Sequence, residues 1–226
     1  MHPERAFAIV ALTTSLIVGC GDDSVEPSGS TGTGQQGGGN EGGGPPDIDP
    51  TSQKAALKLK GGARFRNDIA QSLDLPVDYC KELGFVECSA VHTIVMGGAD
   101  AFFSGLYEPL PETTATSPLA FDRFAMTGCV MRVDADLAAA PGAALIFRDL
   151  PMAGDGKLSD PSAPAVDLAI TKLYQRGLAR MPSEFEREQL RGLYPAIEQN
   201  GSSRPARDWA VLGCFSVLTS MENIFY

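Results

Sequence analysis

Residues 21–52 contain ten Gly, four Pro and six acidic side chains, no Lys or Arg, and only Val25 and Ile48 as large apolar groups. Such a stretch cannot bury enough surface to offset the entropy of ordering it, so it is expected to be disordered. Folding must therefore be carried by 53–226, which is long enough for one domain around one core but not comfortably for two. A flexible chain of 32 residues spans roughly 30 Å r.m.s., so 21–52 is expected to serve as a leash. The formal charge of −10 is uneven: the leash carries −6, whereas 53–226 holds 17 basic and 21 acidic side chains. Solubility and repulsion from a like-charged membrane surface account for this balance. With no surplus of Lys and Arg to neutralise phosphates, it argues against a nucleic-acid partner.

Ahead of the leash, Arg5 precedes a run of thirteen mostly apolar residues, 6–18. That is short of the ~20 a transmembrane helix needs and fits a secretion signal over 1–19. The run closes on Ile17-Val18-Gly19-Cys20, which resembles a bacterial lipobox. The resemblance implies cleavage before Cys20 and acylation, palmitate included, of its thiol and new amino group. Several acyl chains hold a protein on a membrane where one would not. The alternative is an ordinary signal peptide with an incidental cysteine. Gly21 rather than Asp after Cys20 implies sorting to the outer membrane, so the expected location is the cell envelope.

Within 53–226 the signals are mostly helical. Good helix formers over 64–73 stop before Pro76, and the apolar stretch 79–95 is expected to be a buried helix ending at Gly97-Gly98. Ser117-Pro118 reads as an N-cap and first turn leading into 119–131, and 143–150 as a strand or a helical turn. Gly154, Asp155 and Gly156 mark a loop. Val166, Ala169, Ile170, Leu173, Tyr174, Gly177 and Leu178 fall on one face of a helix over 164–180. Ser183 with Glu186 forms a capping box, with Glu184 and Glu188 near the positive end of the helix dipole. Leu190, Leu193, Tyr194 and Ile197 make that helix's stripe, and Asn200-Gly201 stops it. The segment 206–218 is apolar nearly all round, as a central helix would be. No internal repeat is visible. The expected fold is mainly α, a single helical bundle after a disordered Gly-rich tether.

Three stretches carry a family resemblance. FRNDIAQSLDL at 65–75, LYQRGLARMPSEF at 173–185 and WAVLGCFSVLTSMENIF at 209–225 are similar, in the same order, to segments of large secreted planctomycete and myxobacterial proteins. Those proteins contain helical domains of unknown function, often beside a cytochrome c module. The resemblance implies a helical, exported protein without an assigned activity. The shared residues also have a purely structural explanation. Leu173, Tyr174 and Leu178 pack inward, Arg180 suits a helix C-terminus, and Pro182-Ser183 starts the next helix. No Cys-x-x-Cys-His occurs, so a haem role would need a separate partner.

After Cys20, four cysteines remain: Cys80, Cys88, Cys129 and Cys214. An even number in an oxidising compartment points to two disulfides with three possible connectivities. The favoured pairing is Cys80 with Cys88, a small local loop, and Cys129 with Cys214, tying the middle of the domain to its last long helix. The competing reading is zinc on these thiols with His92, since Cys88 and His92 are four residues apart. His92, the one histidine of the mature chain, lies among Val91, Ile94 and Val95, which favours a structural hydrogen bond near the core. There is no Gly-x-Ser-x-Gly and no His-Glu-x-x-His. Around Asp155-Gly156 the calcium-ligand positions fall on Pro151, Ala153 and Ser162, so that segment reads as a polar turn. Gly97-Gly98-Ala99-Asp100 lacks the Lys-Ser/Thr of a phosphate loop, and Asp122-Arg123 reads as a solvated helix face. Neither a metal nor a cofactor is expected. The functional expectation is a lipid-anchored, non-enzymatic binding or assembly module whose partners are the membrane and another envelope protein. The alternatives are an exported redox accessory to a cytochrome c partner and a polysaccharide hydrolase, the latter needing two facing carboxylates.

Overall fold

The computed structural model describes residues 58–102, 104–109, 114–140 and 142–225. The expected signal, the lipidation residue Cys20 and the leash lie outside the described residues. Helix α1 (Gly62–Leu73) buries Phe65, Ile69, Ala70 and Leu73, one face of the helix. It ends at Asp74, whose left-handed backbone lets its N–H reach the carbonyls of Ala70 and Gln71, two residues before a proline that could not continue the helix. Further on, α3 (Ser117–Ala138), α4 (Pro164–Leu178), α5 (Glu184–Gln199) and α6 (Pro205–Leu218) form the bundle, and the short α7 (Met221–Ile224) closes it. The domain is mainly helical.

Helix α6 is the centre of this arrangement because most of its circumference is apolar and buried, with only a narrow strip through Asp208, Leu212 and Ser216 facing outward. It packs against α3, α4, α5 and α7, and Trp209 donates its indole N–H to the Leu190 carbonyl of α5 at 2.8 Å. The Cys129–Cys214 disulfide joins α3 to α6 with Cα atoms 5.7 Å apart. Two glycines set close approaches. A Cβ at Gly128 of α3 would meet Ile69 and Leu73 of α1 at 3.0 Å, and one at Gly177 of α4 would meet Leu218 of α6 at 2.9 Å. The capping box of α5 is complete, with the Ser183 hydroxyl accepting from the Glu186 N–H and the Glu186 carboxylate accepting from the Ser183 N–H.

Five expectations need correction. The stretch 79–95 is not one helix. It is a two-stranded hairpin, β1 (Lys81–Glu82) with β2 (Val86–Glu87), followed by the single turn α2 (Cys88–Val91) and further turns. Residues eight apart on a helix are about 12 Å apart, too far for a disulfide, whereas Cys80 and Cys88 are bonded with Cα atoms 5.5 Å apart. Ser117 is the first residue of α3 rather than its N-cap. Its hydroxyl donates to the Val95 carbonyl and accepts from the Thr114 N–H, so it links α3 to the preceding segment. That helix also runs two turns past 131, to Ala138. Residues 143–150 form neither strand nor helix but a series of turns wrapped on Asp136, whose carboxylate accepts from the N–H groups of Leu145, Ile146 and Phe147 at 2.8 to 3.0 Å. Finally, α4 stops at Leu178 because Ala179 turns left-handed, which places Arg180 beyond the helix.

Candidate binding cleft and stapled hairpin

The reactive side chains are already engaged. The four cysteines form the two favoured disulfides, Cys80–Cys88 and Cys129–Cys214, so the thiolates that a zinc site would need are bonded to one another. Among the described residues no cluster of metal-ligating side chains occurs. His92 Nε2 lies 3.0 Å from Glu82 Oε1, and the imidazole packs edge-on to Phe124 at 6.3 Å. The same carboxylate receives Arg123 Nε at 3.0 Å and its terminal nitrogen at 3.2 Å. The hydrogen bonds from His92 and then Arg123 hold the Glu82 carboxyl below the usual range. Arg123 is on the exposed face expected of it, yet it fastens α3 to the hairpin.

A polar cleft of about 450 Å³ opens between the C-terminal half of α1, α4 and α7. Lys60, only 12 % exposed, reaches into it and pairs with Asp68 at 2.8 Å and with Asn223 Oδ1 at 3.2 Å. Asn223 is buried and donates its amide to the Leu218 carbonyl at 2.7 Å. Arg176 of α4 donates to the carbonyls of Ser72 and Gln71 at 2.6 and 3.3 Å, a cation at the negative end of α1. Gln71, Ser72, Gln175 and Gly177 complete the lining. Every lining residue except Lys60 comes from the three stretches singled out in the sequence. The cleft thus offers two cations, three amides and a hydroxyl against one carboxylate. That carboxylate, Asp68, is held by Lys60, so no facing acid pair of the kind glycoside hydrolysis uses is present in this cleft.

Beside the cleft, Arg180 explains two of those stretches at once. Its guanidinium joins Glu186 of the capping box at 2.6 Å and Glu222 of α7 at 2.7 Å, and lies 5.1 Å from the Tyr174 ring centre. Arg180, with help from the Ser183 N–H and hydroxyl, brings the Glu186 carboxyl down to about 2. This group ties the end of α4 to the start of α5 and to α7.

A second feature stands out by exposure. Among the described residues the four most exposed large apolar side chains are Leu83, Phe85, Phe102 and Tyr107, all between α1 and α3 and outside the short α2. Leu83 and Gly84 both have positive φ, 51° and 82°, as the mirror-image turns of hairpins require, and the Phe85 N–H closes the turn on the Glu82 carbonyl at 3.1 Å.

No protein family matches the chain, and neither a curated protein nor a solved structure matches it. The site is therefore defined by its own geometry. Lys60 lies outside the three stretches singled out in the sequence, and Arg176 and Asn223 stand within them but not as site residues, because the partners that give them meaning are up to 163 residues away.

Proposed function

We propose that this chain is a lipid-anchored protein of the cell envelope, acylated at Cys20, whose helical domain is a non-enzymatic binding module, and that the polar cleft at Lys60 and Arg176 is where it binds. The ligand class that fits is a polar molecule bearing a carboxylate. The observation that carries this reading is the charge of the cleft lining, two cations against one acid, with the side-chain amides of Gln71 and Gln175 beside them. Support for binding over catalysis comes from His92 and the cysteines, each held in a structural pair. Two measurements test it. The mass of the intact mature protein should start at Cys20 and include acyl chains; an unmodified chain starting at Met1 defeats the anchor. Titration with acetate, glucuronate and a short acidic peptide should move NMR signals of the cleft residues, and Gln175→Ala should weaken that response. Signals that stay still with every probe, or respond identically in Gln175→Ala, defeat the cleft assignment.

A further inference from the structure

We infer that the Leu83-Gly84-Phe85 tip of the hairpin is a second membrane contact, inserted among lipid headgroups to fix the orientation of the domain. The inference rests on the proposed tethering of the chain to a bilayer. Leu83 is 85 % and Phe85 73 % exposed, and both stand on a convex turn rather than in a groove. Leu83 holds a left-handed backbone that glycine would adopt without strain, so a large apolar side chain is displayed there against the local preference of the backbone. The display is rigid. The Cys80–Cys88 bond closes the base of the hairpin, and Glu82 is tied to both Arg123 and His92.

Three observations favour a bilayer as the occupant. First, the hairpin's carboxylates have cationic neighbours: Asp78 pairs with Lys81 at 3.1 Å, Glu82 with Arg123 at 3.0 Å, and Glu87 lies 3.9 Å from Arg66. Little net charge holds the tip away from a headgroup layer. Second, the segment sits on the N-terminal part of α1, where the chain comes in from the leash. The Gly62 N–H bonds the Met96 carbonyl at 3.2 Å, and Arg66 bonds the Ser89 hydroxyl at 3.0 Å. Were Cys20 acylated, only the 32 residues 21–52 and a few more would separate that end from the surface carrying the anchor, where a weak contact gains from high effective concentration. Third, two side chains on a turn are far from the ~800 Å² per partner of a stable protein interface, whereas insertion into lipid stabilises side chain by side chain.

The test uses the full mature chain, and beside it a C20S chain carrying an N-terminal histidine tag on phosphatidylcholine vesicles with a nickel-chelating lipid. Tethering in the second case does not depend on acylation. F85W places a reporter at the tip, F185W places one on the exposed start of α5, and the buried Trp209 is common to both. Expected are a blue-shifted F85W emission that brominated phosphatidylcholine quenches, no such response from F185W, and reduced F85W quenching on adding L83S. Without any tether, L83S/F85S should lower vesicle partitioning about tenfold while mass and circular dichroism show both disulfides and the helices intact. Unquenched F85W on the chelating vesicles, or equal quenching of both reporters, overturns the inference. So does a dimer in sedimentation that L83S/F85S turns into monomer, which assigns the tip to a second copy. If Cys20 proves unacylated while tag-tethered F85W is still quenched, the anchor reading fails and the tip contact stands.

Discussion

Single residues carry more of this structure than their positions in the sequence announce. Asp136, fully buried in its side chain and 2.7 Å from Arg132, holds three consecutive backbone N–H groups of the following loop. Nothing in the sequence marks it, because its loop partners are main-chain atoms that every residue possesses. Asp136→Asn would turn one acceptor into a donor facing those N–H groups and remove the charge opposite Arg132. Urea unfolding should show a loss of about 3 kcal/mol. Leu83 is the opposite case. Replacing it with Gly relieves a left-handed conformation, so Leu83→Gly should raise the unfolding free energy by about 1 kcal/mol. A decrease in the same urea experiment would mean that Leu83 packs in a way its exposure does not suggest.

At the scale of elements, legibility followed how local the determinants are. The capping box at Ser183 and Glu186, the stripe of α5 and the mostly apolar α6 were readable because each rests on residues close together in the chain. The hairpin was not, although its cue was present: a Cys80–Cys88 bond and a helix over 79–95 are geometrically incompatible, and the local disulfide is the one that holds. The β-turn signal was equally weak, since Leu83 is an uncommon residue for a positive φ. The two disulfides should differ in effect. By loop-closure entropy, the link between residues 85 apart is worth about 4.5 kcal/mol and that between residues 8 apart about 2.5 kcal/mol. Guanidinium unfolding of C129S/C214S should therefore show the larger loss, with C80S/C88S leaving the bundle's helical signal close to the parent.

For the molecule as a whole, the mainly helical fold was legible in helix periodicity, whereas the cleft was not, because it assembles Lys60, Asp68, Arg176 and Asn223 from three distant parts of the chain. Arg180 gives the whole assembly an acid dependence. The Glu186 carboxyl sits at about 2 in the folded protein against an ordinary 4.5. Its contribution is thus complete above pH 4.5 and lost as the pH falls toward 2, and partial exposure to solvent keeps it modest. The difference in unfolding free energy between the parent and Glu186→Gln should be constant above pH 4.5 and vanish toward pH 2; a difference that persists unchanged at low pH would assign the role of Glu186 to its uncharged hydrogen bonds. The bridge between Leu59 and Phe225, with the Lys60 N–H on the Ile224 carbonyl at 2.8 Å, brings the first and last described stretches side by side. A circular permutant that joins them through a few glycines and reopens the chain at the exposed Gly154-Asp155 turn should keep the same body. Anything fused after that last stretch would emerge next to the start of the domain, not on its far pole.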